Sequence, residues 1–392
     1  MVGRARPSDD AANESMRKAT LLGVVVVATA LSSAGCDRRD SAPNAAPVSA
    51  SALAPPADPR VAAGAASYAK YCALCHGADA KGYAADHAPS LVSETFLASA
   101  TDDFLTRSIG EGRPGTAMAG YARDRGGPLD GDELSALIRF LRSKGPALRR
   151  LPAFPVNGVA SRGADVYADK CQRCHGTREA RGEAPHLANS AFLAAASDGF
   201  LRYAIANGRP GTPMEPFEGK LDDGSISDVV ALLRSWAPNA PPVPPPPSSA
   251  GAGDAPLTGP VVIYPKGRPP TFTLREDRFV PIDQVKQALD AKSRLVIVDA
   301  RATSDWLTSH IPGSVSVPYY QLSRLDALPN DGTWVLAYCA CPHHASGVIV
   351  DELKKRGFKH AAILDEGILE WQKRNYPIDK AAPPAASTAP RR

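Results

Sequence analysis

The chain has 392 residues, 44% of them hydrophobic and 22% charged, with 45 Lys and Arg against 41 Asp and Glu. These are the proportions of folded protein, with enough length for two or three domains. A net charge of +4 without a dense basic tract interleaved with aromatics gives no electrostatic footprint for nucleic acid, which is not expected as a partner. Many of the 37 prolines fall in two linker-like stretches, one after an N-terminal apolar run and one over 238–260.

The apolar run is "LLGVVVVATAL", Leu21 to Leu31. It is too short to cross a bilayer as a helix, which needs about 20 apolar residues. Arg17 and Lys18 precede it and small residues follow, the order of a secretory signal peptide, with Met16 as the expected start. The run ends in Ser33-Ala34-Gly35-Cys36, which resembles the lipobox of bacterial lipoproteins, with Ser33 where those usually carry an aliphatic. The resemblance implies an export signal in residues 1–36 and a lipid on Cys36. It also implies a protein held at the membrane on the periplasmic side of a bacterial envelope. The alternative is cleavage after a small residue, leaving a free thiol at Cys36. Residues 37–60, rich in Ala, Pro and Ser, read as a disordered tether.

Two segments then repeat. "GAASYAKYCALCHG" begins at Gly64 and "GADVYADKCQRCHG" at Gly163. Gly112-Arg113-Pro114-Gly115-Thr116 returns as Gly208-Arg209-Pro210-Gly211-Thr212, and each is followed two residues later by a methionine, Met118 and Met214. Each copy closes on an i, i+3, i+4, i+7 stripe: Leu134, Leu137, Ile138 and Leu141, then Val229, Leu232, Leu233 and Trp236. Asp130 with Glu133, and Ser225 with Asp228, suit the starts of these helices.

CxxCH is the attachment motif of c-type haem. Cysteines at i and i+3 on one helical face reach the two vinyl groups of a porphyrin, and the adjacent histidine meets the iron. That assigns Cys72 and Cys75 to one haem and Cys171 and Cys174 to a second, with His76 and His175 as proximal ligands. Met118 and Met214, at matching places, are the expected distal ligands; such a His/Met pair raises the potential of an electron-transfer haem. A zinc site needs four ligands and usually a second CxxC nearby, and neither copy has one. The segments 61–145 and 160–237 resemble class I cytochrome c domains in "CALCHG" and "CQRCHG", in Pro89 and Pro185, and in "GTAM" and "GTPM". The resemblance implies two all-α domains, each with a covalent haem c. It further implies that the carbonyls of Pro89 and Pro185 hold the proximal histidine rings, and that the partners are redox proteins of the cell envelope.

After the Pro-rich run, short apolar stretches at Leu295–Val298, Trp334–Ala337 and Ala361–Leu364 alternate with helical patterns at Gln284–Leu289 and Val348–Lys355. This predicts an α/β domain with a parallel sheet, whose ligand site belongs at the carboxyl ends of strands. "YCACPHH", from Tyr338, begins at that place. Cys339 and Cys341 are spaced i, i+2 and miss the haem pattern. A metal clamp of Cys339, Cys341, His343 and His344, or a disulfide between the two cysteines, remain alternatives. A nucleophile fits the position: a cysteine between strand end and helix start receives backbone N–H groups and the helix dipole, which favour thiolate.

"VDAR" from Val298, "HIPGS" from His310, "YC", Gly367, Glu370-Trp371 and Tyr376-Pro377 resemble a rhodanese domain over 277–379, with a disordered tail over 380–392. The resemblance implies sulfane-sulfur transfer through a persulfide on Cys339, with thiosulfate or polysulfide as donor. The arginine common near the end of that family's loop is absent; His343 and His344 stand in its region, and Cys341 is additional. The expectation is an exported dihaem electron carrier whose rhodanese domain binds or transfers sulfane sulfur through a Cys339 persulfide. The alternative is a respiratory carrier whose rhodanese domain only docks a partner or senses metal or redox state.

Overall fold

The computed structural model describes residues 58–152, 157–237, 257, 260–340 and 343–380. Cys36 with the export signal, all but the end of the tether, nearly all of the Pro-rich run, Cys341 and nearly all of the tail lie outside the described residues.

The first repeat is helical. Asp58 caps α1 (Pro59–Tyr71) by accepting from Arg60 N–H, and Pro59 occupies the first turn, where its missing N–H costs nothing. Cys72 ends α1 and opens α2 (Ala73–His76), a single turn. Then come α3 (Glu94–Ser99), α4 (Asp102–Gly110) and α5 (Gly131–Arg142). The start of α5 is a capping box: Asp130 accepts from Glu133 N–H, and Glu133 accepts from Asp130 N–H. The second repeat gives α6 (Ala160–Lys170), α7 (Gln172–His175), α8 (Ser190–Ala195), α9 (Asp198–Asn207) and α10 (Asp223–Trp236). Its last helix starts earlier than Ser225 with Asp228 suggests. Asp222 is the cap and accepts from Ser225 N–H at 2.7 Å. Asp228 lies inside α10 and is spent elsewhere, accepting from Val159 N–H and Arg162 Nε, each at 2.6 Å.

In each repeat the first helix crosses the last at a glycine. A Cβ on Gly64 would stand 2.0 Å from the Ala136 carbonyl oxygen, and one on Gly163 would stand 2.1 Å from that of Asp228. The two repeats pack with α3 on α9 and α4 on α8, a pseudo-symmetric arrangement. Phe104 stacks on Phe200 at 4.7 Å, and Phe96 and Phe192 meet the facing copy edge-on at 6.4 Å.

The C-terminal part is a parallel sheet of β1 (Phe279–Val280), β2 (Leu295–Asp299), β3 (Val315–Ser316), β4 (Trp334–Tyr338) and β5 (Ala361–Leu364), in the order β1-β5-β4-β2-β3. Between strands run α11 (Ile282–Asp290), α12 (Thr303–Thr308) and α13 (His344–Lys355), and α14 (Gly367–Lys373) follows β5. Alternate residues serve opposite faces. Val296, Val298, Val335, Ala337 and Ile363 share a core with Ile349, Val350 and Leu353 of α13. Leu295, Ile297, Leu336 and Leu364 pack with Ile282, Val285 and Trp371. Burial on both faces explains why these strands read as continuous apolar runs. At the end of β2, the buried Asp299 accepts from Arg301 Nη2 at 2.6 Å and from the Tyr338 hydroxyl at 2.7 Å. That fixes β2 to the last residue of β4 before Cys339.

The sheet domain also touches the first repeat. Ser304 Oγ donates to the Gly120 carbonyl at 2.6 Å, and the Tyr319 hydroxyl donates to the Tyr71 carbonyl at 2.6 Å. Tyr320 meets Tyr71 edge-on at 4.9 Å.

Gly64→Ala and Gly163→Ala force apart two backbones in contact. Each is expected to cost roughly 1–3 kcal/mol, in the range of overpacking, and to lower the midpoint of thermal unfolding followed by far-ultraviolet circular dichroism.

Candidate functional site: two cysteine–histidine turns and a strand-end cysteine

Cys72 and Cys171 sit where a long helix breaks into a one-turn helix carrying the rest of CxxCH. His76 Nδ1 donates to the Pro89 carbonyl at 2.9 Å, and His175 Nδ1 donates to the Pro185 carbonyl at 2.8 Å. The bond fixes each ring and leaves Nε2 to act as donor to a metal. Burial lowers the pKa of both histidines, against the opposing effect of the proline carbonyl, which favours the neutral imidazole a metal needs.

Burial pushes the Cys72 thiol up to about 12, with Cys75 adding to it. The Cys75 thiol is pushed up to about 11 by burial, then by Asp86 and Cys339, and Cys171 to about 11 by burial, then by Cys174. Surroundings that disfavour thiolate suit an uncharged thioether sulfur. They do not suit a zinc–thiolate site, which needs the anion.

The methionines are presented by two closed turns. Arg113 N–H donates to the Met118 carbonyl at 2.7 Å, and Arg209 N–H to that of Met214 at 2.8 Å. Met118 N–H donates to Thr116 Oγ1 at 3.1 Å, and Met214 N–H to Thr212 Oγ1 at 3.2 Å. Gly112, at φ 72°, lies so close to Ala119 that a Cβ would stand 2.4 Å from that residue's carbonyl carbon, and Gly208 opens the second turn at φ 61°. The repeated "GRPGT" is thus a turn whose glycine and threonine hold the methionine in place.

The same turns supply two residues that motif reading passed over. Burial pushes Arg113 and Arg209 down to about 10. Arg113 donates to Ser108 Oγ at 2.6 Å and lies over the Phe104 and Phe192 rings. Arg209 donates to Thr95 Oγ1 at 3.3 Å and lies over Phe96 and Phe200. Neither makes an ion pair among the described residues. A half-buried cation with no carboxylate beside it is costly. A haem c brings two carboxylates, so the donor set and the charge both fit that group. The signal was the arginine in the repeated pentapeptide.

Cys339 follows β4 and is 3% exposed. Its Sγ lies 3.3 Å from Ser346 Oγ in the first turn of α13. Gly367, at φ 70°, packs so closely that a Cβ would stand 2.6 Å from the Cys339 carbonyl oxygen, which also accepts from Ile368 N–H at 3.0 Å. His343 sits before α13 at φ 83°. Its Nε2 is 2.8 Å from Asp365 Oδ1, and its ring rests on Phe279 at 4.1 Å. Arg275 also reaches Asp365, at 2.8 Å. His344 Nδ1 is buried with no hydrogen-bond partner among the described residues.

The two haem-type turns differ in cover. His76 is buried and Cys75 half-buried, whereas His175 is half-buried and Cys174 exposed. Tyr319 and Tyr320 lie against Tyr71 of the first copy, the residue next to Cys72 in the chain.

Replacing Arg113 or Arg209 by Leu removes a positive charge from the haem surroundings. The expected result is a fall of roughly 30–60 mV in one haem potential, on the scale of about 59 mV per tenfold for one electron, read by spectroelectrochemical titration.

Residues 59–141 and 158–233 match the family described as cytochrome C oxidase, cbb3-type, subunit III, and residues 281–374 match the rhodanese-like domain family. The cbb3-type cytochrome c oxidase subunit FixP of Bradyrhizobium sp. (strain ORS 278) is 30% identical over 42% of this chain and 57% of its own. The subunit CcoP of Azospirillum sp. (strain B510) is 26% identical over 45% and 62%. The probable adenylyltransferase/sulfurtransferase MoeZ of Mycobacterium tuberculosis (strain CDC 1551 / Oshkosh) is 31% identical over 24% of each chain. The chain spans about three fifths of the length of the two oxidase subunits it matches. Among the described residues no helix is long and apolar enough to cross a membrane. The two helical repeats are cytochrome c domains, which imply covalently bound haem c, and the C-terminal part is a rhodanese-like domain.

Proposed function

We propose that the protein is an exported electron carrier with two haem c groups whose rhodanese domain takes sulfane sulfur on Cys339. The observation that carries this reading is the recurrence of one donor set in two copies beside a strand-end cysteine. Cys72 and Cys75 attach one haem and Cys171 and Cys174 the other. His76 with Met118, and His175 with Met214, complete the iron ligands, and Pro89 and Pro185 orient the histidines through their carbonyls. When bound, haem c supplies reversible one-electron transfer between ferric and ferrous iron. The protein keeps the histidine rings fixed and closes the methionine turns, and Arg113 and Arg209 would supply positive charge to the haem carboxylates.

At Cys339 the thiolate attacks the outer sulfur of thiosulfate. One S–S bond breaks and another forms, leaving a Cys339 persulfide and releasing sulfite, with no net oxidation. Ser346, beside Sγ, donates to the thiolate or the bound sulfur. His343 is engaged with Asp365, and His344, at the start of α13, is the second histidine of the loop available to an incoming anion. Cys341 would resolve the persulfide by attacking its inner sulfur, forming a Cys339–Cys341 disulfide and releasing the outer sulfur as hydrosulfide. The protein is held on the periplasmic side of the envelope through a lipid on Cys36, and its partners are envelope redox proteins. The names of the matched oxidase subunits favour a respiratory acceptor.

Two covalent haems should survive acid–acetone extraction. Met118→Ala and Met214→Ala should each remove half of the far-red methionine–iron band of the oxidised protein and lower one potential. An unchanged spectrum in both variants rules out the methionine assignment.

After thiosulfate treatment, peptide mass spectrometry should find one added sulfur atom on the Cys339 peptide. Cys339→Ala should abolish it together with thiocyanate formation from cyanide, and Cys341→Ala should retain the first transfer. An adduct on Cys341 alone overturns the assignment.

A further inference from the structure

We propose that Cys339 and the first haem site work as one redox centre, in which hydrosulfide is oxidised on Cys339 and the electrons enter the protein through the first repeat. This rests on the persulfide reading above and extends it from sulfur transfer to sulfur oxidation.

The sheet domain grips the first repeat on both sides of its iron site. Tyr319 bonds the carbonyl of Tyr71, the residue before Cys72, and Ser304 bonds that of Gly120, two residues beyond Met118. Tyr320 closes on Tyr71, the Tyr121 and Tyr319 hydroxyls are 3.5 Å apart, and Ala117 packs against the sheet core. The turn that carries Cys75 and His76 packs on α13, the helix that follows the Cys339 loop. Among the described residues none of this cover is repeated on the second copy, whose Cys174 is exposed. The first site is thus turned inward toward sulfur and the second outward toward solvent and a partner protein. A nucleophile as buried as Cys339 favours the smallest sulfur donor, hydrosulfide.

The electron count agrees. The Cys339 thiolate and HS⁻ give the Cys339 persulfide anion, one proton and two electrons. One S–S bond forms and one S–H bond breaks. The proton leaves to solvent, and the oxidants are the two ferric haems, which take one electron each. One sulfur therefore loads both haems. The persulfide then passes its outer sulfur to an acceptor thiolate, and Cys339 returns as thiolate. A single-haem protein would be left with one electron to place, and two copies remove that difficulty.

The test uses the full-length, fully oxidised holoprotein, mixed anaerobically with sodium sulfide or, separately, with thiosulfate. Sulfide should reduce two haems for each sulfur found on the Cys339 peptide by mass spectrometry. Cys339→Ala and Cys339→Ser should lose both the adduct and the fast haem reduction. Tyr320→Ala, which loosens the contact with Tyr71, should slow sulfide-driven haem reduction roughly tenfold, a difference read as a rate ratio. Haem reduction that is unchanged in the Cys339 variants, or a sulfide adduct formed without haem reduction, or an unaffected rate in Tyr320→Ala, overturns the shared centre. Thiosulfate separates the two readings. An adduct with thiosulfate alongside failure with sulfide leaves Cys339 as a sulfurtransferase only. No adduct with either reagent removes the persulfide reading and this inference with it.

Discussion

Where α1 crosses α5, the backbone at Gly64 lies directly against the carbonyl of Ala136, and the second repeat makes the same crossing at Gly163 and Asp228. That close approach fixes the axis of the helix whose end delivers the first attaching cysteine. Any side chain larger than hydrogen would lift the helix and move the cysteine turn with it. A haem c attached through Cys72 and Cys75 would tolerate little such drift, because both thioethers must reach one rigid ring. The histidine–proline bonds and the closed methionine turns then set the remaining freedom on either side of the iron.

The packing of the two repeats solves a second problem. Each brings a half-buried guanidinium to the shared face, over aromatic rings from both copies. The rings offer the cations a favourable quadrupole but not a full counter-charge.

Much of this was legible in the sequence because it is local. The cysteine–histidine turns, the matching methionines and the stripe of Leu134, Leu137, Ile138 and Leu141 are set by residues a few positions apart. The runs at Leu295, Trp334 and Ala361 announce strands buried on two sides for the same reason. Asp222, and not a later residue, caps α10 because Asp228 is drawn to Arg162 and Val159 across the fold. The burial of Arg113, the contact of Cys339 with Ser346 and the grip of Tyr319 on Tyr71 depend on segments brought together only by folding. The departure of the 339–346 loop from the common rhodanese pattern was visible in advance. The engagement of His343 with Asp365 was not, because that carboxylate comes from the far end of β5.

The cover that Tyr319 and Tyr320 place beside Cys72 has a consequence for biogenesis. Thioether bonds are made by delivering a whole porphyrin to both thiols, which requires an open approach to the cysteine turn. The residues that close the first turn lie more than two hundred positions later in the chain. Export of the chain from its N-terminus, as proposed above, would give the first repeat an interval in which to be loaded before the sheet domain shuts over it, whereas the second repeat would stay open to late loading. The order of domains along the chain is in this sense an assembly schedule.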